Sequence, residues 1–404
     1  MNREPEKLQL KRRKKKLRPA FAGFLAACIL LVGIIAFFWI YLSTSVKPPE
    51  IEVQNPDNPD ETISMPRETY TFLVVGRDNP QGDNQRNTDV LMLCSFDTVK
   101  GNVNVMQIPR DIYVVDELCP AGGKINNVFS LAARDYREQN PDATADAEFE
   151  YAMGYLCDKI GDLFAVPVDF YVSFNTLMYR ELLEIVCPIT VDVPFDMDYD
   201  DPTQDLHIHL KAGVQQLDPE QAEGFSRFRQ NNGGHSGLPE GDFSRVDLQK
   251  ITLAAIAEKF FSNFSLPSAH ALAGTVWNNL DTDLEMNECI WFLQQALTLY
   301  TEGTMTLDSI RMYDLPCKVP SPAECAALLG VNYTVSYGFM ETSLGYTLEI
   351  LNKAFNTKDT PITAEMLGYV EAVEIGGYCD HSDTEGQSLQ GILDNPPDVW
   401  ISHY

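Results

Sequence analysis

Apolar positions change their period repeatedly along this chain, and each change marks an element. Residues 71–75 and 89–96 are short apolar runs, and 102–108 alternates apolar with polar, so three neighbouring strands are expected. Residues 144–164 carry apolar side chains at helical spacing, 168–174 reads as a strand, and Thr176–Val186 as a second helix. Asp218 followed by Pro219 has the chemistry of an N-cap and a first helical residue, opening a helix that runs toward Arg229. Helical patterns come next at about 243–263, 266–279 and 284–301, then a strand candidate at 306–313. Strands and helices mixed in this way predict an α/β fold, an α-β-α sandwich with helices covering a central mixed sheet.

The first 67 residues depart from that pattern. Residues 1–19 hold nine Lys/Arg against two Glu, a balance of +7, which leaves −35 on the remainder of a chain whose total is −28. Residues 20–43 carry no charge and are dominated by Ala, Ile, Leu, Phe and Val, long enough to cross a hydrocarbon core. A basic leader before an apolar span keeps the N-terminus in the cytoplasm and exports the rest of the chain, so a single-pass, membrane-anchored extracytoplasmic protein is expected. The run is longer than a signal-peptide h-region, which favours a retained anchor. Residues 44–67, rich in Pro, Asn, Asp and Glu, read as a solvated linker. Residues 68–315 form the expected catalytic domain, and 316–404 either complete its core or form a small appended unit. An acidic body excludes nucleic acid as the partner.

Of nine cysteines, Cys28 lies in the apolar span and eight come after it; they allow many disulfide pairings and contain no Cys-x-x-Cys. Cys94, in an apolar run, reads as a small core residue.

Candidate chemistry concentrates at predicted strand ends and one helix start. On a helix, Asp242, Arg245 and Gln249 fall at i, i+3 and i+7, on one face. Arg227 and Arg229 end the preceding helical pattern, so three arginines converge on a helix N-terminus, where free N–H groups and guanidinium forks suit a phosphate or pyrophosphate. Asp78 follows the first strand and Asp89 opens the second, which puts two carboxylates at one sheet edge; they suit Mg²⁺ (or Mn²⁺) with phosphate oxygens, or are simply solvated turn acids. Arg110 ends the third strand, and Lys124 and Asn126 follow a Gly-Gly pair. His207 and His209 share one strand face at a spacing zinc could use, but no third ligand is evident and a solvated face is the simpler reading. Ser236 fails the Gly-x-Ser-x-Gly pattern at Leu238, and no phosphate-binding Gly-x-x-x-x-Gly-Lys-Ser/Thr loop exists.

Taken together, Phe72-Leu-Val-Val-Gly-Arg-Asp78, Thr88-Asp89, Ile108-Pro-Arg-Asp-Ile-Tyr113, Lys124-Ile-Asn126, Leu210-Lys-Ala-Gly-Val-Gln-Gln-Leu-Asp218, Arg227-Phe-Arg229 and Asp242-Phe-Ser-Arg-Val-Asp-Leu-Gln249 resemble the LytR-CpsA-Psr family, in family order. Thr282-Asp283-Leu284 resembles a later signature of the same family. The arginine usual two residues before the second aspartate is Asn87 here, with Arg86 one position earlier. The resemblance implies a membrane-anchored phosphotransferase that moves an anionic glycopolymer, of teichoic acid or capsular polysaccharide type, from a polyprenyl diphosphate carrier to peptidoglycan. It implies Asp78 and Asp89 as the Mg²⁺-associated carboxylates, and Arg110, Arg227, Arg229 and Arg245 as diphosphate ligands, with Arg86, Lys124 and Asn126 adding to substrate binding. It also implies that Asp242 orients an arginine or assists proton removal, and that Gln249 completes the polar network. A hydrolase of the same lipid diphosphate, a non-catalytic lipid-binding sensor or scaffold, and an anchored adhesion module are the alternatives, and the short cytoplasmic segment leaves no room for a folded output domain.

Overall fold

The computed structural model describes residues 47–55, 58–77, 88–203, 205–233, 236–238, 242–263, 280–318, 341–368, 384–397, 399 and 402–403. The expected membrane span at 20–43 and the expected helix at 266–279 lie outside them, and no described helix is long and apolar enough to cross a membrane.

A seven-stranded mixed sheet forms the centre, built from β1 (Thr69–Arg77), β2 (Thr88–Asp97), β3 (Val103–Ile108), β4 (Phe170–Asn175), β5 (Asp281–Thr282), β6 (Ile310–Asp314) and β7 (Gln387–Ser388). Their order across the sheet is β5-β4-β1-β2-β3-β6-β7. β1 runs parallel to β4 and antiparallel to β2, while β3 runs antiparallel to β2 and parallel to β6. Both faces are covered, which is why the middle strands read as continuous apolar runs. Leu73, Val75, Leu91, Leu93, Met106 and Ile108 enter one core with helices α1 (Val128–Gln139) and α2 (Ala145–Phe164). Phe96, Ile310 and Met312 enter the other, against α3 (Thr176–Val186), α4 (Pro219–Arg227), α5 (Asp242–Asn263) and α6 (Met286–Thr301). These are the two helical layers of the expected sandwich.

Local chemistry sets the helix starts. Thr144 caps α2, its Oγ1 accepting from Ala147 N at 3.2 Å, and Ala152, Met153, Leu156, Ile160, Leu163 and Phe164 then face the core. Asp218 and Gln221 form a reciprocal capping box with Pro219 at the first position of α4.

Two expectations need correction. The linker of residues 44–67 contains a pair of strands, Ile51–Asn55 with Asn58–Met65, in which Ile51 pairs with Met65 and Val53 with Ile63. Its polar composition concealed the ladder, whose stabilisation comes from main-chain pairing. The strand at 306–313 begins only at Ile310, because Thr306 and Ser309 cap a short 3-10 turn ahead of it. For residues 316–404, which the sequence left open between completing the core and an appended unit, the outcome is the former: Pro48–Tyr404 is one compact body. β7 pairs with β6, and α7 (Leu344–Ile350) with its continuation Leu351–Phe355 supplies Ile350, Leu351 and Phe355 to the first core. α8 (Leu389–Asp394) supplies Leu389 and Ile392 to the second, and Ser402–His403 pair with Ser236–Gly237.

Cys94, Cys119, Cys157, Cys187 and Cys289 are free thiols. Burial pushes the Cys94 thiol up to about 12, which fits the expectation of a packing residue.

Candidate active site

The site is built where β1 ends, β2 begins and β3 ends. Register fixes this: Gly76 pairs with Val90, a shift comes next, and Arg77 pairs with Thr88, so Asp89 enters β2 beside the exit of β1. On the other side of β2, Leu91 pairs with Ile108, which brings Arg110 alongside. Arg110 Nη1 donates to Asp89 Oδ1 at 2.5 Å. The Arg110 carbonyl accepts from Asn126 N at 3.2 Å, and Lys124 Nζ lies 2.6 Å from Asp111 Oδ1. Asn126 is 7% exposed, and its buried Oδ1 has no hydrogen-bond partner among the described residues.

α4 and α5 close the site from the helical side. α5 carries Arg245 and Gln249 one turn apart, and Arg227 sits in the last turn of α4. Two cavities meet here, sharing Asp89, Val90 and Gln249. The larger, about 170 Å³, lies between the sheet and α3, α4 and α5, with Val90, Met92, Phe174, Tyr179 and Leu253 as its less polar lining and Arg77, Asn175, Ser226 and Arg227 among its polar one. Burial pushes the Tyr179 hydroxyl up to about 12, so it is a neutral lining group. Gly76 also lines this cavity; a Cβ there would stand 2.8 Å from Val90 Cβ and 3.1 Å from Phe174 Cζ, so the cleft keeps its width only with glycine. The smaller, about 60 Å³, is lined by Arg110, Asp111, Arg245, Asp247, Lys250 and Asp314 among others.

The structure therefore gathers Asp89, Arg110, Arg227, Arg245 and Gln249. Arg229 does not join them: it is exposed and lines neither cavity, because the chain leaves α4 in an extended conformation at fully buried Phe228. Asp78 and Arg86 lie outside the described residues, as does the side chain of Asp242, whose backbone opens α5. His207 and His209 each face an aspartate across a hairpin, Nδ1 lying 2.5 Å from Asp200 and 2.7 Å from Asp198. No group of three or more His, Cys, Asp or Glu shaped to hold a metal occurs among the described residues.

Several residues at the site escaped the sequence reading. Arg77 shares the strand parity of Leu73 and Val75; its guanidinium lies 4.4 Å from the Phe149 ring centroid, its Nε donates to Ser173 Oγ at 2.7 Å, and it pairs with Asp281. Lys250 is 3% exposed between Asp247, at 3.1 Å, and Asp314. Burial alone would lower its pKa, yet the two carboxylates outweigh that and hold the ammonium above the usual lysine range. Glu223 is 3% exposed and joins Arg227 to Arg180. Two of these pairs had a signal in the sequence, Glu223–Arg227 at i,i+4 and Asp247–Lys250 at i,i+3.

A mixed sheet between two helical layers, with an arginine-rich cleft beside an apolar wall at the strand ends, is an α/β architecture whose cleft has the chemistry to suit an anion attached to an apolar group. The chain belongs to the LytR_cpsA_psr family, whose model matches residues 38–316. It is 24% identical over 260 residues to the polyisoprenyl-teichoic acid–peptidoglycan teichoic acid transferase TagV of Bacillus subtilis (strain 168), a match covering 63% of this chain and 60% of TagV. It is 26% identical over 282 residues to the transferase of the same description, TagU, of Bacillus cereus (strain AH820), covering 68% of this chain and 81% of TagU. The crystal structure of B. subtilis TagV shares the fold, with a TM-score of 0.51 at 20% identity over 76% of this chain and all of that one.

Proposed function

We propose that this protein is a phosphotransferase that moves a glycopolymer of teichoic acid or capsular type from a polyprenyl diphosphate carrier to peptidoglycan, working outside the cell on a membrane anchor at residues 20–43. One observation carries the reading: the larger cavity has Met92, Phe174 and Leu253 in its wall and Arg227 at its polar side, and it meets a second cavity bearing Arg110 and Arg245 at Asp89 and Gln249. A prenyl chain in the first cavity would deliver its diphosphate to that junction.

The chemistry is governed by charge. As an acceptor hydroxyl attacks the polymer-proximal phosphorus, it gives up its proton to Asp242 or to solvent, the bond to the lipid phosphate breaks and negative charge builds on the leaving oxygen, which departs as the lipid monophosphate. Arg110, Arg227 and Arg245 are placed to neutralise it, and such transfer needs positioning and charge neutralisation rather than a covalent nucleophile. Arg229, exposed and outside the two cavities, is a diphosphate ligand on the family resemblance alone. Asp89 with Asp78 would hold Mg²⁺, which when bound adds positive charge at the phosphates; hard carboxylate oxygens suit it, and Mg²⁺ commonly takes only one or two carboxylates beside phosphate oxygens. Asp89 also fixes Arg110 through the 2.5 Å contact, so this carboxylate orients a cation with or without the metal. Lys124, Asn126 and Arg86 would add to substrate binding as the family resemblance implies, and Asp242 stands at the start of the helix that presents Arg245.

The test is turnover by the full chain in detergent of a short polyprenyl-diphosphate glycan with peptidoglycan oligomers and Mg²⁺, beside Asp89→Ala and Arg227→Ala. A covalent polymer–peptidoglycan adduct, lost in both variants, is the expected result. Release of free polymer phosphate without an adduct would make the protein a hydrolase, and binding without turnover would make it a scaffold.

A further inference from the structure

Glu223 is a buried carboxylate outside both cavities, and it needs a reason to be there. It lies on α4, one turn before Arg227, and is 3% exposed. Arg227 Nη1 donates to Oε1 at 2.6 Å, while Arg180 of α3 donates through Nε to Oε2 at 2.5 Å. Of the three, Arg227 alone lines either of the two cavities, the larger one. A carboxylate paired with one guanidinium makes a neutral unit, and an arginine so neutralised is a poor anion ligand. The second guanidinium changes the sum: within this trio one negative charge stands against two positive.

The geometry points to Glu223 and Arg180 as positioning residues for the diphosphate ligand Arg227: Glu223 fixes the direction of its guanidinium, and Arg180 offsets the carboxylate so that Glu223 does not by itself cancel the Arg227 charge. This rests on the diphosphate reading given above. Two further contacts fit. The Glu223 hydrogen bond is the main cause holding the Arg180 pKa above its usual range, as expected for a cation spent on a buried acid. Tyr179 Oη donates to Ser226 Oγ at 3.0 Å, and Ser226 Oγ donates to the Glu223 carbonyl at 2.9 Å. α3 and α4 therefore stay tied when Arg180 is replaced, so an effect of that replacement on binding is not an effect of detaching the helices.

Charge arithmetic makes the test sharp. The trio carries +1 in the wild type, 0 in Arg180→Gln, +2 in Glu223→Gln, and +1 again in the double variant. Inorganic pyrophosphate titrated calorimetrically into the full chain in detergent at low salt should bind about five- to tenfold more weakly to Arg180→Gln, at least as tightly to Glu223→Gln, and within about twofold of wild type to the double variant. Arg180→Lys should restore most of the loss. With the lipid substrate, KM should change in the same order, while kcat falls in Glu223→Gln because Arg227 has lost its anchor. If both single variants weaken pyrophosphate and the double variant weakens it further, or if affinities stay constant while only melting temperatures move, the inference is wrong. Absence of pyrophosphate binding by the wild type, or binding unchanged by Arg227→Ala, overturns it as well. The expected order of affinities without any transfer product would instead sink the transferase reading and leave this inference standing.

Discussion

Lys250→Met removes one cation and keeps nearly the same side-chain length. In the native protein the ammonium is 3% exposed, lies 3.1 Å from Asp247 Oδ1 and pairs with Asp314 at the end of β6. The wall of the smaller cavity then carries three cations, Arg110, Arg245 and Lys250, against four carboxylates, Asp89, Asp111, Asp247 and Asp314. The substitution leaves two against four. Breaking a fully buried pair costs about 3–5 kcal/mol. The Asp247 and Asp314 side chains keep 23% and 33% of their exposure, so water reaches them and the expected loss is about 2–3 kcal/mol. The assay is urea denaturation followed by tryptophan fluorescence, from pH 7 up through the lysine range. The two carboxylates hold the folded ammonium above the usual lysine value, so the stabilisation it contributes is complete below that value and fades as pH rises through the raised one. The deficit of the variant should therefore shrink at high pH. A loss under about 0.5 kcal/mol at pH 7, or a deficit undiminished at high pH, would refute the reasoning.

Three other outcomes are expected. Arg110→Ala should lower kcat/KM by about 10²–10³-fold and Arg110→Lys by less, since a point charge replaces a fork, and steady-state kinetics with both variants near wild type would remove Arg110 from the site. Gly76→Leu should cost about 1–3 kcal/mol by overpacking against Val90 and Phe174, and should raise KM for a long prenyl diphosphate far more than for a short one; equal effects on the two would show that the cleft does not hold the chain. The Asp200 carboxylate 2.5 Å away holds the His207 imidazolium above the usual histidine value of about 6.5, so the pair's stabilisation is complete below that pH and fades as pH rises through the raised value; Asp200, held low by the same contact, loses its share as pH falls through its own value. An NMR titration should show His207 returning toward the usual value in Asp200→Asn, and no change would mean that the contact is absent in solution.

The central strands were legible because both faces of the sheet are covered, so β1 and β2 carry little but apolar residues. The last piece of the sheet was not, since Gln387–Ser388 is too short for any period and is held by pairing with β6. The same division runs through the site. Arg110, Arg227, Arg245 and Gln249 stood out because strand ends and a helix start are where charges gather around an anion. The Lys250–Asp314 and Arg180–Glu223 pairs escaped notice because their partners lie 64 and 43 positions apart, and no local pattern reports a contact of that range. Arg229 was read with Arg227 from their spacing and the family resemblance; it is exposed just beyond buried Phe228, while Arg227 lines the larger cavity.

The pairing of Ser402–His403 with Ser236–Gly237 bears on when the site comes into being. Gly237 also bridges to Gln230, and Leu238 N donates to the Arg229 carbonyl at 2.8 Å, so this small ladder braces the loop just after Arg227. A nascent chain elongated only to residue 316 already contains every arginine of the cleft, yet it lacks both β7 and the strand that steadies that loop. Synthesis must proceed well over a hundred residues beyond the last of those arginines before the brace can form. The segment that carries Arg229 is thus steadied late in biosynthesis, by residues made long after the cleft's own arginines.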